Sequence, residues 1–132
     1  WNCGCCQTSD NYFKFCNTHS KILQKAIQRF PEPSQVMAWL GPAISQDHFE
    51  VGDDVYQAFV SKNLKTTAAF VASQKSNKWM ADIYLLARMQ LSAVGVDAIY
   101  GGDFCTYSDA KRFYSYRRDG LETGRIASLI WR

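Results

Sequence analysis

The stretch ADIYLLARMQLSAVGVDAIYGGDFC, residues 81–105, sets a helix, a strand and a glycine-rich turn one after another. Asp82 is a favoured helix-capping residue, and the apolar side chains after it recur at helical spacing until Gly95, a typical helix stop. VDAIYG, residues 96–101, is typical of a buried strand, and KWMAD, residues 78–82, of a strand before the helix. This strand–helix–strand unit predicts an α/β fold. The inward residues of the helix are predicted to be Ile83, Leu86, Ala87, Leu91 and Val94.

Outside this unit the sequence alternates between helical and extended segments. Residues 21–30 carry a helical apolar stripe that ends at Pro31, and Asp53 opens a second helix. The buried stripe of that second helix is predicted to be Val55, Tyr56, Phe59 and Val60. Extended segments are predicted over residues 35–41, 48–51, 68–73, 112–118 and 125–132. We therefore predict a layered sandwich of mixed β-sheet and helices over residues 21–132, preceded by a divergent cysteine-rich head over residues 1–20.

The composition narrows the class of protein. With 132 residues, 47% of them apolar, the chain has the size of one domain that can bury a core without disulfides. It has no apolar run of about 18 residues or more and no visible signal peptide, so neither a membrane span nor secretion is expected. The formal charge of +3 comes from scattered residues, which argues against nucleic-acid binding. Five cysteines, an odd number, favour free thiols in a cytoplasmic protein.

The head concentrates four of the five cysteines and one histidine. Thiolates and imidazole suit a tetrahedral zinc site. The spacing C-x-C-C-x9-C-x2-H matches no standard zinc finger or ribbon, however, so a packed or disordered head is the favoured interpretation and a metal site is the alternative. The candidate ligands are Cys3, Cys5, Cys6, Cys16 and His19.

The segment GGDFC, residues 101–105, can present backbone N–H groups to an anion or make a tight turn. It lacks both common phosphate-binding glycine patterns, so the turn is favoured. Cys105 could act as a nucleophile if its pKa were lowered. The histidines, His19 and His48, are both distant in sequence, and the favoured interpretation of Cys105 is a small buried hydrophobe.

The segment YSYRRDG, residues 114–120, carries two adjacent arginines. In a strand, Arg117 and Arg118 would point to opposite faces, so one guanidinium would face the layer that covers the sheet. It would need a carboxylate partner there, Asp119 or Asp103, or a ligand anion. The carboxylate partner is slightly favoured. The candidates for the edge of a ligand pocket are therefore Arg117, Arg118, Asp103 and Cys105.

Three segments resemble the bacterial YfiH family: AWLGPAIS with HFEVGDDVYQAF, then ADIYLLARMQLSAVGVDAIYGGDFCTY, then RFYSYRRDGLETGRIASLIWR. They occur in this order over roughly residues 21–132. The family is known as multicopper polyphenol oxidase (laccase domain), as purine nucleoside phosphorylase and as a peptidoglycan-editing factor. The resemblance implies a layered α/β sandwich with mixed sheets, like the catalytic domain of the cytotoxic necrotising factors.

The resemblance also implies that this chain corresponds to the C-terminal half of a family protein. The zinc or copper ligands and catalytic residues of the family are a histidine in Val-His-Gly, a cysteine in Ala-Asp-Cys and a histidine in His-Ala-Gly-Trp-Arg-Gly. This sequence contains none of these motifs, so we expect no cofactor and no activity in this chain alone. Two alternatives stay open: a stand-alone binding or interaction module, and a protein that binds metal through its head.

Half of such a sandwich would expose an apolar sheet face and unpaired strand edges. QVMAWLG, residues 35–41, and RIASLIWR, residues 125–132, would contribute to that face. We therefore expect either a homodimer or higher oligomer, or a complementary N-terminal half as partner. Neither nucleic acid nor a membrane is expected as a partner.

Overall fold

The structure, a computed structural model, describes Lys25 and residues 36–127. Its strands form two sheets, which confirms the mixed α/β fold class. The first sheet pairs β1 (Met37–Leu40) in parallel with β5 (Ala98–Gly101). The second is antiparallel and has the order β2 (Glu50–Gly52), β4 (Lys78–Ala81), β3 (Phe70–Ala72).

The two longer helices begin where the sequence predicts them, at Asp53 and directly after Asp82. Asp82 caps the longest helix, because its carboxylate accepts a hydrogen bond from the backbone N–H of Leu85 at 2.9 Å. Gly95, with φ of 85°, follows the same helix and lets the chain turn towards β5. The α-helices are α1 (Asp53–Val60), α2 (Ile83–Ser92) and α3 (Tyr116–Asp119). Short 3₁₀ helices lie at Gln46–His48, Leu64–Ala69 and Gly120–Glu122.

Helix α2 contributes to both hydrophobic clusters of the described residues. Leu86 packs in the cluster around the three-stranded sheet, whereas Leu91 packs with Val96 against β1 and β5. The flanking strands β4 and β5 lie in different sheets, so the predicted strand–helix–strand unit bridges the two sheets. The buried residues of the larger cluster are Ile44, Phe49, Val51, Val55, Phe59, Ala69, Phe70, Ala81 and Leu86.

One predicted strand is wrong. Residues 112–118 do not form a strand, because Tyr116 to Asp119 form helix α3 after the buried Ser115. The expectation that Arg117 and Arg118 point to opposite faces of a strand therefore no longer has a basis. The reason is a tertiary contact: the side chain of Arg118 binds carbonyl groups of the preceding loop, which holds the chain in a compact turn.

Several sequence predictions fall on residues outside the described part of the chain. They include the cysteine-rich head, residues 128–132 of the last predicted strand, and the helix over 21–30 apart from Lys25. Residues 125–127 have no regular secondary structure. Every helix within the described residues is too short or too polar to cross a membrane.

Candidate functional site

The glycine pair after β5 makes the sharp turn that the sequence favours. Gly101 and Gly102 have φ values of 77° and 93°, a region that L side chains rarely adopt. The backbone N–H of Gly102 donates to the carbonyl of Leu40 at 3.2 Å, and a Cβ on Gly101 would collide with that same oxygen. The turn therefore fastens the end of β5 to the end of β1 and directs the chain towards Cys105.

A second pairing brings two distant loops together at Cys105. Ala43 and Cys105 form an isolated parallel bridge, and the N–H of Thr106 donates to the carbonyl of Ala43 at 2.9 Å. This register places Ser45 next to the thiol. The hydroxyl and the N–H of Ser45 donate to the sulfur at 3.0 and 3.3 Å.

Ser108 completes the surroundings of the thiol. Its N–H and its hydroxyl both lie 3.5 Å from the sulfur of Cys105. Partial burial raises the pKa of this thiol, but the hydrogen bonds from Ser108 and Ser45 outweigh burial and lower the pKa from 9.0 to about 6. Cys105 is half-buried and hydrogen-bonded, so the expectation of a buried apolar cysteine is wrong. The side chain is a thiolate at neutral pH.

Tyr84, on α2, ties the two loops to the helix. Its phenol oxygen accepts a hydrogen bond from the N–H of Ala43 at 2.6 Å and donates to the carbonyl of Phe104 at 2.8 Å. Burial raises the pKa of Tyr84, which keeps the phenol protonated and able to donate. One hydroxyl thus sets the distance between the loop that carries Ser45 and the loop that carries Cys105.

Arg88, one turn further along α2, holds the end of β5. Its guanidinium donates to the carbonyl of Ile99 at 3.1 Å and to the carbonyl of Gly101 at 2.5 Å. These bonds attach two backbone carbonyls of β5 to a side chain of the helix. The helix therefore fixes both the turn and the loop that follows it.

Two open clefts meet at Cys105. The first has a volume of about 520 Å³ and the second of about 470 Å³. Asp103, which is exposed, and Phe104 also line both clefts. The first cleft is otherwise lined by Ser108, Asp109, Ala110, Lys111 and Arg112. The second is otherwise lined by Ser45, Gln46, Asp47, Asp82, Tyr84, Leu85, Arg88 and Gly102.

Arg118 holds the loop behind these clefts. It makes a bidentate ion pair with Asp119 at 2.7 and 2.8 Å, and its remaining donors bind backbone carbonyls. The hydrogen bond to Asp119 raises the pKa of Arg118, and the same bond lowers the pKa of Asp119. The carbonyls are those of Thr106 at 2.9 Å, Tyr107 at 2.7 Å and Phe113 at 2.9 Å. Arg118 therefore braces the loop, and Asp119 is its carboxylate partner.

Arg117 points elsewhere. Its guanidinium donates to the carbonyl of Glu50 at 2.8 Å and lies 5.4 Å from the centre of the Phe49 ring. It therefore joins α3 to the second sheet, and it lines neither cleft. Of the four pocket-edge candidates, Asp103 and Cys105 lie together at the clefts, whereas the two arginines hold the structure around them.

The described residues do not assemble a metal site. His48 stacks on Tyr107, with 4.3 Å between ring centres, which brings an imidazole close to the loop of Cys105. Within residues 36–127, however, no three histidine, cysteine or acidic side chains come together as metal ligands would. The five ligand candidates of the head lie outside the described residues.

Sequence reasoning missed Ser45, Ser108 and Tyr84. Ser108 lies three positions after the cysteine, a spacing at which a turn can return a hydroxyl to the thiol, and this signal could have been used. Ser45 and Tyr84 reach the site only through the pairing of Ala43 with Cys105. No local pattern encodes that pairing.

The sequence of this chain matches a known family and several of its members. Residues 17–132 match the family described as multi-copper polyphenol oxidoreductase laccase. The chain is 49% identical over 111 residues to the purine nucleoside phosphorylase YfiH of Escherichia coli, and 38% identical over 112 residues to a purine nucleoside phosphorylase of Haemophilus influenzae. Each match covers 83% of this chain, but 44% and 46% of the relatives.

Solved structures of similar proteins show the same partial coverage. A Neisseria meningitidis protein of family DUF152 superposes with a TM-score of 0.73 and 42% identity, over 82% of this chain and 44% of that protein. The Bacillus licheniformis hypothetical protein YfiH superposes with a TM-score of 0.68 and 25% identity, over 76% of this chain and 39% of that protein. The chain spans less than half the length of the proteins that it resembles.

Proposed function

The chain belongs to the multi-copper polyphenol oxidoreductase laccase family, and on this premise we propose that it supplies one wall of a purine nucleoside phosphorylase site and does not turn over alone. The proposal is supported by the two relatives from Escherichia coli and Haemophilus influenzae, which are named purine nucleoside phosphorylases. It is also supported by their length, because this chain corresponds to 44% of the Escherichia coli relative.

The observation that carries the proposal is the thiolate of Cys105 between two clefts. Each cleft has the volume of a small-ligand site. Phosphorolysis breaks the bond between the purine and C1′ of the ribose, while phosphate forms a new bond to C1′. Positive charge develops on the sugar as the purine leaves, and a nearby thiolate stabilises such charge or accepts a hydrogen bond from a ribose hydroxyl.

The family name also implies copper or zinc. Because the described residues bring together no set of ligand side chains, we derive no oxidative step from them. The sequence contains none of the three motifs that carry the metal ligands and catalytic residues of the family. We therefore assign to this chain the binding and positioning part of the reaction.

Complementation tests this assignment. The full chain is assayed with inosine and phosphate, first alone and then co-expressed with the portion of the Escherichia coli relative that it does not match. We expect no hypoxanthine release from the chain alone and release from the co-expressed pair. Cys105→Ser should lower the restored rate by about tenfold or more. Ser92→Ala, an exposed position at the end of α2, is the matched control and should leave it unchanged.

Two results would contradict the proposal. One is turnover by the chain alone at the rate of an intact relative. The other is a restored rate that Cys105→Ser leaves unaltered, since the thiolate would then not contribute to the site.

Metal binding by the head, which lies outside the described residues, stays a prediction. Elemental analysis of the purified full chain, compared with a Cys5→Ser, Cys6→Ser double variant, tests it directly. Stoichiometric zinc that the double variant loses would support a metal-binding head. Equal and substoichiometric zinc in both proteins would contradict it.

A further inference from the structure

One face of the β1–β5 sheet is apolar and exposed. Met37 and Trp39 on β1 are 70% and 59% exposed, and Tyr100 on β5 is 57% exposed. Trp39 and Tyr100 are direct register partners, so their side chains lie side by side on this face. The opposite face of the same sheet packs on Leu91 and Val96. Among residues 36–127, the sheet is therefore covered on one side only.

The edges of this sheet carry no charge. Residues 36–41 and 98–102 contain neither a charged side chain nor a proline. Solitary edge strands in stable proteins are normally protected by lysine, proline, a bulge or a covering element. Parallel sheets, moreover, occur almost only with both faces covered, and two strands alone are marginally stable. Within the described residues this sheet has two strands and one covered face.

The three-stranded sheet offers an internal contrast. Its edge strand β2 carries Glu50, which forms an ion pair with Lys75 at 2.9 Å and accepts a hydrogen bond from Ser73 at 2.7 Å. That edge has the charge expected of a solvent-facing strand. The other edge strand, β3, carries no charge and leaves Val71 57% exposed, so the contrast is confined to the β2 edge. The cluster of large exposed side chains formed by Met37, Trp39 and Tyr100 therefore carries the inference that the β1–β5 sheet faces a protein layer.

The relatives indicate which layer. The Neisseria meningitidis protein reproduces 82% of this chain at a TM-score of 0.73, and this chain covers 44% of it. More than half of that protein is thus available to cover the corresponding face. We propose that the face formed by Met37, Trp39 and Tyr100 binds the remaining portion of a family enzyme, which places an apolar layer over this sheet. The identity of this occupant rests on the proposed function.

Co-purification tests the surface without using turnover. The full chain, carrying an affinity tag, is co-expressed with the unmatched portion of the Escherichia coli relative, and the co-purified amount is measured by native mass spectrometry. We expect a one-to-one complex that Trp39→Ser with Tyr100→Ser reduces by about tenfold or more. Leu64→Ser and Leu121→Ser are matched controls, because these leucines are 76% and 83% exposed and belong to 3₁₀ helices outside the β1–β5 sheet. They should leave the complex unchanged.

The outcomes separate this inference from the proposed function. A complex that resists the double substitution, or no complex at all, overturns the inference. So does a dimer of the chain alone that the double substitution dissociates, because the occupant would then be a second copy. A one-to-one complex that requires Trp39 and Tyr100 but lacks phosphorolysis supports the surface and contradicts the proposed activity. Equal melting midpoints of variants and controls show that the double variant is folded.

Discussion

The hydroxyl of Ser45 donates to the sulfur of Cys105 at 3.0 Å, although 60 positions separate the two residues. The chemistry of the thiol therefore depends on the fold that joins two loops. A local change in either loop should be detectable as a change in the reactivity of one sulfur atom.

We expect Cys105 to react as a thiolate at mildly acidic pH. Its pKa lies near 6, so the rate of alkylation by iodoacetamide should rise with pH and reach half its maximum near pH 6. The segment 89–111, released by trypsin, contains this cysteine and no other, so mass spectrometry of that peptide reports it alone. A midpoint above pH 8 would contradict the arrangement of donors.

Removing one donor should raise this pKa. Ser45→Ala deletes the shortest hydrogen bond to the sulfur and should move the alkylation midpoint to higher pH. Ser92→Ala, which lies at the end of α2 and is exposed, is the control. An unchanged midpoint in Ser45→Ala would mean that Ser108 and the backbone suffice.

Stability should depend on the same titration. The pKa of Cys105 is lower in the fold than its ordinary value of 9.0, so its contribution to stability is fully present above pH 9 and is lost as the pH falls through about 6. The difference in denaturation midpoint between the native chain and Cys105→Ala should therefore grow from pH 6 to pH 9. A difference that is constant with pH would refute this linkage.

Tyr84→Phe should loosen the loops. The change removes the hydroxyl that accepts from Ala43 and donates to Phe104, and we expect a loss of about 1–2 kcal/mol in the free energy of unfolding. Denaturant titration measures it, with Tyr114→Phe, an exposed tyrosine, as the control. The loss should be accompanied by a higher alkylation midpoint at Cys105. Equal stability of the two variants would show that the hydroxyl is not a structural link.

Arg118→Ala should destabilise the protein far more than Arg125→Ala. Arg118 bonds to Asp119 and to three loop carbonyls, whereas the bonds of Arg125 within the described part of the chain go to the carbonyls of the two residues before it. Arg118→Lys should be intermediate, because an ammonium group lacks the planar fork that serves all these acceptors. Thermal denaturation of the three variants gives the order. Equal midpoints for the two alanine variants would show that the bracing contributes nothing.

Two glycines with similar backbone angles should differ in tolerance. Gly101 and Gly120 have φ of 77° and 71°, but a Cβ would strike the Leu40 carbonyl at Gly101 and nothing within 4 Å at Gly120. Gly120, with φ of 71° and ψ of −150°, lies in a region essentially confined to glycine, so Gly120→Ala should cost about 1–3 kcal/mol from the backbone conformation alone. Gly101→Ala should cost clearly more, because the collision is with backbone. Denaturant titration of the two variants measures the loss in the free energy of unfolding. Equal losses would argue against a tight turn at Gly101.

Local signals were sufficient for most of the fold. Asp82 caps α2, Asp53 begins α1, and the glycine pair makes the turn, because capping and left-handed backbone depend on the residue itself. The family resemblance is also confirmed. These features required no knowledge of distant contacts.

Features that depend on tertiary contacts could not be predicted. The alternation of aromatic residues around Ser115 suits a strand, yet Arg118 captures three carbonyls and the segment becomes helical. Only part of the surroundings of the Cys105 thiol is local in sequence, namely the donors of Ser108. The shortest hydrogen bond to its sulfur comes from Ser45, 60 positions earlier. All three strands of the three-stranded sheet lie between these two residues in the sequence.

The pairing of β1 with β5 has a consequence for the order of folding. The strands β3 and β4 are joined by residues 73–77 alone and can pair early, because closing a short loop costs little entropy, whereas β2 pairs with β4 across residues 53–77. β1 must wait for α2 and β5, its sequence-distant partner, and therefore docks late. A chaperone that meets the nascent chain would therefore find the segment around Trp39 unpaired for longest.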